Sequence, residues 1–293
     1  MRFAFSIKSN SHSGLPSLLQ DVLDGILAVT FPTDCALCGG ELASDGCSRV
    51  CRACWTGLQP WGGPLCARCG LPFASPRALD SSLAMCGACR NHEPAFDGAR
   101  SFGLYAGKLR LAILRLKFAG DDRLGARLGE LLASTWDHLP ARVESDLPLV
   151  VPIPLHPSRR RERGFNQSAM LAEGLAQTLR KRSHAPAPQI ASACLGRKRA
   201  TIPQTGLSVS ARRENLRGAF EVTKPEAVRG RCIVLVDDVM TTGATLSAAA
   251  RALKRAGVGR VLALTLARAT PQFSDVTRAD RDNTVDGLDR DWR

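Results

Sequence analysis

The run Val234-Leu235-Val236-Asp237-Asp238-Val239-Met240-Thr241-Thr242-Gly243-Ala244-Thr245-Leu246 concentrates polar chemistry between two apolar flanks. Asp237 and Asp238 are badly placed to hold an anion but suited to accept hydrogen bonds from vicinal hydroxyls. Thr241, Thr242, Gly243, Ala244 and Thr245 bring hydroxyls and small side chains to the mouth of a helix expected over residues 246–256. There, unpaired N–H groups and the positive end of the helix dipole favour a phosphate. A ligand with a phosphate and a cis-diol a few ångströms apart satisfies both halves, and ribose 5-phosphate is such a ligand. A P-loop would need a Gly-Lys-Ser/Thr ending and a dinucleotide fold a G-x-G-x-x-G turn, and the run has neither. A strand and helix cap without a ligand remains the alternative, although a cap needs one such residue and five stand here in register.

These residues need an element to aim them. Residues 233–236 are apolar and mostly β-branched, so they predict a strand buried on both faces whose carboxyl end is marked by the acids. With the helix and an apolar strand at 261–266 they predict a parallel β-α-β unit with a right-handed crossover. Ligands in such sheets bind at the carboxyl ends of strands. A second apolar run, residues 149–154, is stopped by prolines and puts Ile153, Pro154 and Leu155 on the same rim. Four arginines follow, Arg159, Arg160, Arg161 and Arg163, ahead of Gly164. They predict a mobile cationic loop whose guanidinium forks suit diphosphate oxygens; a solvated basic linker is the alternative. His156, beside two prolines, reads as a turn residue. Elsewhere a strand is expected from Ser101, helical periodicity covers 109–118, 124–139 and 169–181, and 190–195 predicts a short strand.

Eight of the eleven cysteines form four C-x-x-C pairs. Cys35 and Cys38 are followed after twelve residues by Cys51 and Cys54, and Cys66 and Cys69 after sixteen by Cys86 and Cys89. Two such turns close the tetrahedron that Zn²⁺ accepts, so a structural double zinc ribbon with two zinc ions is expected. Gly39 and Gly70 follow two of the knuckles, where a tight turn calls for positive φ. Redox and iron–sulfur chemistry stay open, because C-x-x-C serves both. Apolar residues between Cys35 and Cys89 are few, which leaves much of the folding energy of that part to metal. Cys47 is a spare, and Cys194 and Cys232 are expected to be inert buried thiols.

The chain has 293 residues, 44% hydrophobic, with a formal charge of +13. No apolar run is long enough to span a membrane and no signal peptide is evident, so the cytoplasm is the default location. The positive charge makes nucleic acid or a multiply phosphorylated substrate a candidate partner. The expected order is a disordered stretch at 1–14, a helix (15–29) and the ribbons within 15–92, an α/β domain at 93–269, and a disordered tail at 270–293.

The acid and threonine run resembles the phosphoribosyl pyrophosphate (PRPP) motif of type I phosphoribosyltransferases. By that resemblance Asp237 and Asp238 hold the ribose hydroxyls and residues 241–245 the 5-phosphate. The wider set is similar, in order, to the ComF family: the four knuckles, Lys117-Phe118, Val151-Pro152-Ile153-Pro154-Leu155-His156, Arg163-Gly164-Phe165-Asn166-Gln167, Gln204-Thr205-Gly206-Leu207, Arg212-Arg213-Glu214-Asn215, Arg217-Gly218-Ala219-Phe220 and the acid pair. Those are double-zinc-ribbon, phosphoribosyltransferase-like proteins associated with DNA uptake. The resemblance implies an α/β fold, a type I phosphoribosyltransferase-like parallel sheet flanked by helices behind a small N-terminal double zinc ribbon with four cysteines to each metal. It implies PRPP bound with Mg²⁺ bridging its diphosphate and ribose hydroxyls. If phosphoribose is transferred, Arg159, Arg161 and Arg163, with N–H groups near residues 153–155, would neutralise the leaving diphosphate. The acceptor is open, and so is the oligomeric state. The alternative function is a non-catalytic PRPP sensor that grips single-stranded DNA through the ribbons and through arginines at 159–163, 180–182 and 197–199. DNA-uptake machinery is a further expected partner. Trp55, Trp61 and Phe73 could stack on bases in that case, or form the small core of the ribbons.

Overall fold

A computed structural model describes residues 34–42, 49–73, 84–119, 121–140, 147–182, 187–199 and 215–270. The stretches expected at 1–14 and 15–29, Cys47, the segments at 204–207 and 212–214, and the tail after residue 270 lie outside these residues. Two short helices, α1 (Arg52–Thr56) and α2 (Gly87–Asn91), belong to the cysteine-rich part. The chain continues as β1 (Gly98–Leu104), α3 (Gly107–Ala119), α4 (Asp122–Trp136), β2 (Leu149–Pro152), α5 (Pro157–Arg163), α6 (Gln167–Arg182), β3 (Leu195–Arg197), β4 (Phe220–Val222), α7 (Pro225–Val228), β5 (Cys232–Met240), α8 (Ala244–Arg255) and β6 (Arg260–Arg268).

Strands β1, β6, β5 and β2 form one parallel sheet in that order, while β3 and β4 pair antiparallel. Alternation along β5 and β6 divides the core. Ile233, Leu235, Val261 and Ala263 pack with Leu246, Ala249 and Leu253 of α8 on one face. Val234, Val236, Leu262 and Leu264 pack with Leu128, Leu132, Leu171 and Leu175 of α4 and α6 on the other. Each fully buried leucine contributes roughly 2 kcal/mol. Helices α4 and α6 touch backbone to backbone at Gly129, where a Cβ would lie 2.6 Å from Gly174 Cα.

Three expectations change. The strand expected to end before the acids runs on to Met240, with Asp237 opposite Thr265 and Met240 opposite Arg268 of β6. Its other neighbour, β2, stops at Pro152 opposite Val236, so from Asp237 onward β5 has one strand beside it instead of two. The expected mobile loop of arginines is helix α5. Pro157 stands in its first turn, the His156 side chain accepts from Ser158 N–H, and Gly164 closes it in the left-handed region at φ 77°. The short strand at 190–195 reduces to one parallel bridge, Val150 to Ile190, before β3 begins.

The ribbons do not stand apart from this body. Cys35 and Cys54 are part of the core on the α4–α6 face, and Cys66, Cys69, Cys86 and Cys89 of the core on the α8 face. The chain from Trp61 into the Cys66–Cys69 knuckle runs along edge strand β1: Trp61 N–H donates to Phe102 O (2.8 Å), and Ala99 N–H donates to Arg68 O (2.9 Å). This covers an open sheet edge. It also supplies the apolar burial that the ribbon sequence lacks by itself. Among the described residues no helix is long and apolar enough to cross a membrane.

Candidate functional site

Where β5 outruns β2, its acids open onto a cavity of about 450 Å³. Asp237, Asp238, Thr241, Gly243, Ala244 and Thr245 line it from one side, Ile153 and Leu155 from the other. Ile153 N–H donates to Val236 O (2.9 Å), which fixes the end of the second strand beside the acids. Thr242 faces a neighbouring cavity instead, and Pro154 lies between two wall residues without joining the wall. Gly243 takes φ 75°, and a Cβ there would lie 2.7 Å from Met240 Cε, so the turn from strand to helix needs glycine. Thr242 Oγ1 accepts from Ala244 N–H at 3.3 Å. Helix α8 therefore starts two residues earlier than its apolar periodicity indicates, with its first turn at the cavity.

The carboxylates are held unequally. Asp237 Oδ1 accepts from Ser168 Oγ (3.0 Å) and from the N–H of Asp238 (3.0 Å). Burial first, and then the neighbouring Asp238 charge, push the Asp237 carboxyl up to about 7. Asp238 is 5% exposed; its Oδ1 accepts from Val239 N–H (2.7 Å) and its Oδ2 lies 3.1 Å from Lys117 Nζ. Burial pulls the Lys117 ammonium down, but Asp238, Tyr105 and Asp237 together outweigh it and the net direction is up. The basic wall is completed by Arg197, whose pKa falls through burial while Asp237 opposes the fall. Lys117, Ser168, Gln167, Tyr105 and Arg197 all line the cavity. The family resemblance implies Gln167 near the site, with the rest of Arg163–Gln167; Lys117 stands in a quoted motif without a role, and Tyr105, Ser168 and Arg197 were not assigned to the site from the sequence.

Arg159, Arg161 and Arg163 do not line the cavity. Arg159 and Arg161 are exposed on α5, and Arg159 Nη1 is bound by Glu162 (3.0 Å). Arg163 comes nearest: its Nη1 donates to Gln167 Oε1 (3.2 Å), and its guanidinium lies 5.8 Å from the exposed ring of Phe118. His156 Nδ1 lies 2.7 Å from Ser158 Oγ and caps α5, as a turn residue does.

The cysteines meet in two tetrads, Cys35, Cys38, Cys51, Cys54 and Cys66, Cys69, Cys86, Cys89, each with its sulfurs within 4.8 Å of one another. Four sulfurs bonded at about 2.3 Å to one tetrahedral zinc lie about 3.8 Å apart. The Cys38–Cys51 and Cys69–Cys86 sulfurs stand 3.8 and 3.6 Å apart. Cys51 N–H and Cys86 N–H each donate to a sulfur, Cys35 and Cys66 respectively, at 3.3 Å. Gly39 and Gly70 take φ 68° and 63°. Both tetrads fit Zn²⁺, and two zinc sites follow. Cys194 and Cys232 are buried and belong to neither tetrad. Trp55 packs on the core of the body, stacked under Arg127 at 4.1 Å, and Phe73 packs against the opposite face.

Residues 26–90 match the double zinc ribbon domain family and residues 167–284 the phosphoribosyl transferase domain family. The DNA utilization protein YhgH of Escherichia coli is 35% identical over 241 residues, 82% of this chain and 99% of that protein. Competence protein F of Haemophilus influenzae is 32% identical over 244 residues, 82% and 98% of the two chains. Competence protein ComFC of Bacillus subtilis is 30% identical over 240 residues, 76% and 89%. A phosphoribosyltransferase structure from Corynebacterium diphtheriae covers 59% of this chain and 80% of its own at 19% identity and a TM-score of 0.29, too faint a likeness to add weight. With both domain matches in order and relatives aligned almost end to end, the chain belongs to the ComF family of double-zinc-ribbon proteins with a phosphoribosyltransferase-like domain.

Proposed function

We propose that the chain binds PRPP with Mg²⁺ in the cavity at the end of β5, and that this binding serves the handling of DNA taken up by the cell. The convergence of Asp237 and Asp238 with the threonine–glycine loop on one cavity carries the reading. The carboxylates accept from the ribose hydroxyls, and the first-turn N–H groups of α8 receive the 5-phosphate. Asp237 and Asp238 are hard oxygen donors of the kind Mg²⁺ takes, and when bound the ion neutralises diphosphate charge. Of the α5 arginines, Arg163, tied to wall residue Gln167, is the one placed to approach the diphosphate, with Arg159 and Arg161 behind it, while Arg197 stands in the wall itself. Lys117 pairs with Asp238 until the ligand arrives. Relatives named for competence and DNA utilization support the DNA connection. Cysteines kept reduced for metal are consistent with the cytoplasm.

A second reading has its own observation. Arg159, Arg160 and Arg161 are exposed on α5, off the cavity wall, in a position to meet the phosphates of single-stranded DNA while PRPP acts as a signal. Pyrophosphate release from PRPP·Mg²⁺, measured with nucleobases, amines, single-stranded DNA and water as acceptors, separates the two. Release with any acceptor supports transfer of phosphoribose. No release, together with DNA binding at physiological salt, supports the sensor.

A further inference from the structure

Arg268 ends β6 and is 6% exposed. Its Nη1 donates to the carbonyls of Met240 (3.3 Å) and Thr241, where β5 passes into the phosphate-type loop. Its Nη2 lies 3.9 Å from Cys69 Sγ in the second tetrad. A cavity of about 440 Å³ separates α2 of that ribbon from the first turn of α8. Across it, Ala95 N–H reaches Ser247 Oγ (3.0 Å) in the helix behind the loop, whereas Arg268 reaches the loop itself.

A buried guanidinium costs several kcal/mol unless an anion faces it. The sulfur within reach of the Arg268 guanidinium is Cys69 Sγ, and Cys66, Cys86 and Cys89 complete the same buried tetrad. Arg100 lies beside the same tetrad: its Nη1 donates to Ala67 O (3.1 Å), between Cys66 and Cys69, and to Ala99 O (2.8 Å). Four thiolates around one Zn²⁺ carry a double negative charge, which two guanidiniums balance. The first tetrad is different. Its Cys38 is exposed, and the nearby Arg49 is committed to Asp121 at 2.5 Å.

We propose that Arg268 is a positioning residue: it fixes the loop of residues 241–245 through the Met240 and Thr241 carbonyls and draws its counter-charge from the metal-loaded second tetrad. Metal in that tetrad and a sugar phosphate in the loop then support each other, and such coupling is reciprocal. The loop is taken here as the sugar-phosphate site proposed above.

Zinc release to a chromophoric chelator, with and without saturating ribose 5-phosphate, tests this on the wild-type chain. One of the two zinc ions should leave about tenfold more slowly with ligand present, and the other at an unchanged rate. Arg268→Met should remove this protection, release the same ion faster without ligand, and weaken ribose 5-phosphate binding. Arg268→Lys, which keeps the charge, should restore zinc retention in part. Hydrogen exchange gives a readout that needs neither variant nor ligand: extracting the second zinc should speed exchange at residues 241–245. Cys35→Ser, which disarms only the first tetrad, should not. Equal zinc release from wild type and Arg268→Met, or unchanged loop exchange after extraction, overturns the proposal. If wild type fails to bind ribose 5-phosphate, the sugar-phosphate reading falls, while zinc release and loop exchange still decide the role of Arg268.

Discussion

Lys117 Nζ lies 3.1 Å from Asp238 Oδ2 across the junction of α3 and β5, with the two side chains 22% and 7% exposed. Asp238 Oδ2 has no aligned hydrogen bond, so proximity of charge holds the pair and the oxygen keeps a lone pair for a ligand hydroxyl. Removing one partner strands the other charge. Lys117→Met should destabilise the fold by about 2 kcal/mol, below the full penalty of a buried pair because the lysine is partly exposed. Urea unfolding measures this. Adding Asp238→Asn to the same chain should recover part of the loss, and strictly additive effects would show that the two residues do not interact.

Asp237 gives a pH dependence with a definite sign. Its carboxyl titrates near 7 in the folded chain, above its ordinary value. Between those two values the folded state holds the extra proton, so the residue costs stability as pH rises, and the cost is complete above about 7. Asp237→Asn should therefore leave stability nearly unchanged below about pH 4 and raise it by about 1 kcal/mol at about pH 8, a figure reduced because the residue faces an open cavity. PRPP·Mg²⁺ affinity of the wild type should rise through about pH 7 and level off, since the ionised form accepts from hydroxyls and metal. Thermal melts and binding isotherms across pH check both halves. A stabilising effect that shrinks with rising pH would contradict the assignment.

Zinc analysis should return two ions per chain and no iron. Cys66→Ser, in the fully buried second tetrad, should lower the melting temperature more than Cys38→Ser, because Cys38 is exposed. Chelation should disturb the sheet as well as the ribbons, because both tetrads are built into the cores of its two faces. Far-ultraviolet circular dichroism unaffected by complete metal removal would contradict this.

The exposed arginines of α5 predict a separation of ligands. Replacing Arg159, Arg160 and Arg161 by Ala should flatten the salt dependence of single-stranded DNA binding by about two to three phosphate contacts and leave PRPP affinity within about twofold. Loss of PRPP binding with an unchanged DNA slope would place these side chains on the diphosphate instead.

The acid pair, the threonine–glycine loop and the four knuckles were legible as clusters because each is local in sequence, and the structure gathers the first two at one cavity and the knuckles into two tetrads. The parallel strands followed from their apolar runs. Lys117 and Ser168 were not legible as site residues, since each reaches the acids from a helix distant in sequence and only the packing of α3 and α6 brings it there. Helix α5 was hidden by its charge, although Pro157 at its start and Gly164 at its end are helix signals. The union of ribbon and sheet could not be read either, because cysteines chosen as metal ligands also serve as buried apolar surface.

Titration calorimetry of PRPP·Mg²⁺ into the wild type and into the Asp237→Ala, Asp238→Ala double variant tests the proposed site most directly. Saturable binding to the wild type, lost by at least about a hundredfold in a double variant that still folds and holds two zinc ions, is the expected result. Equal affinity of the two proteins, or no binding to the zinc-loaded wild type, would contradict a PRPP site at the end of β5.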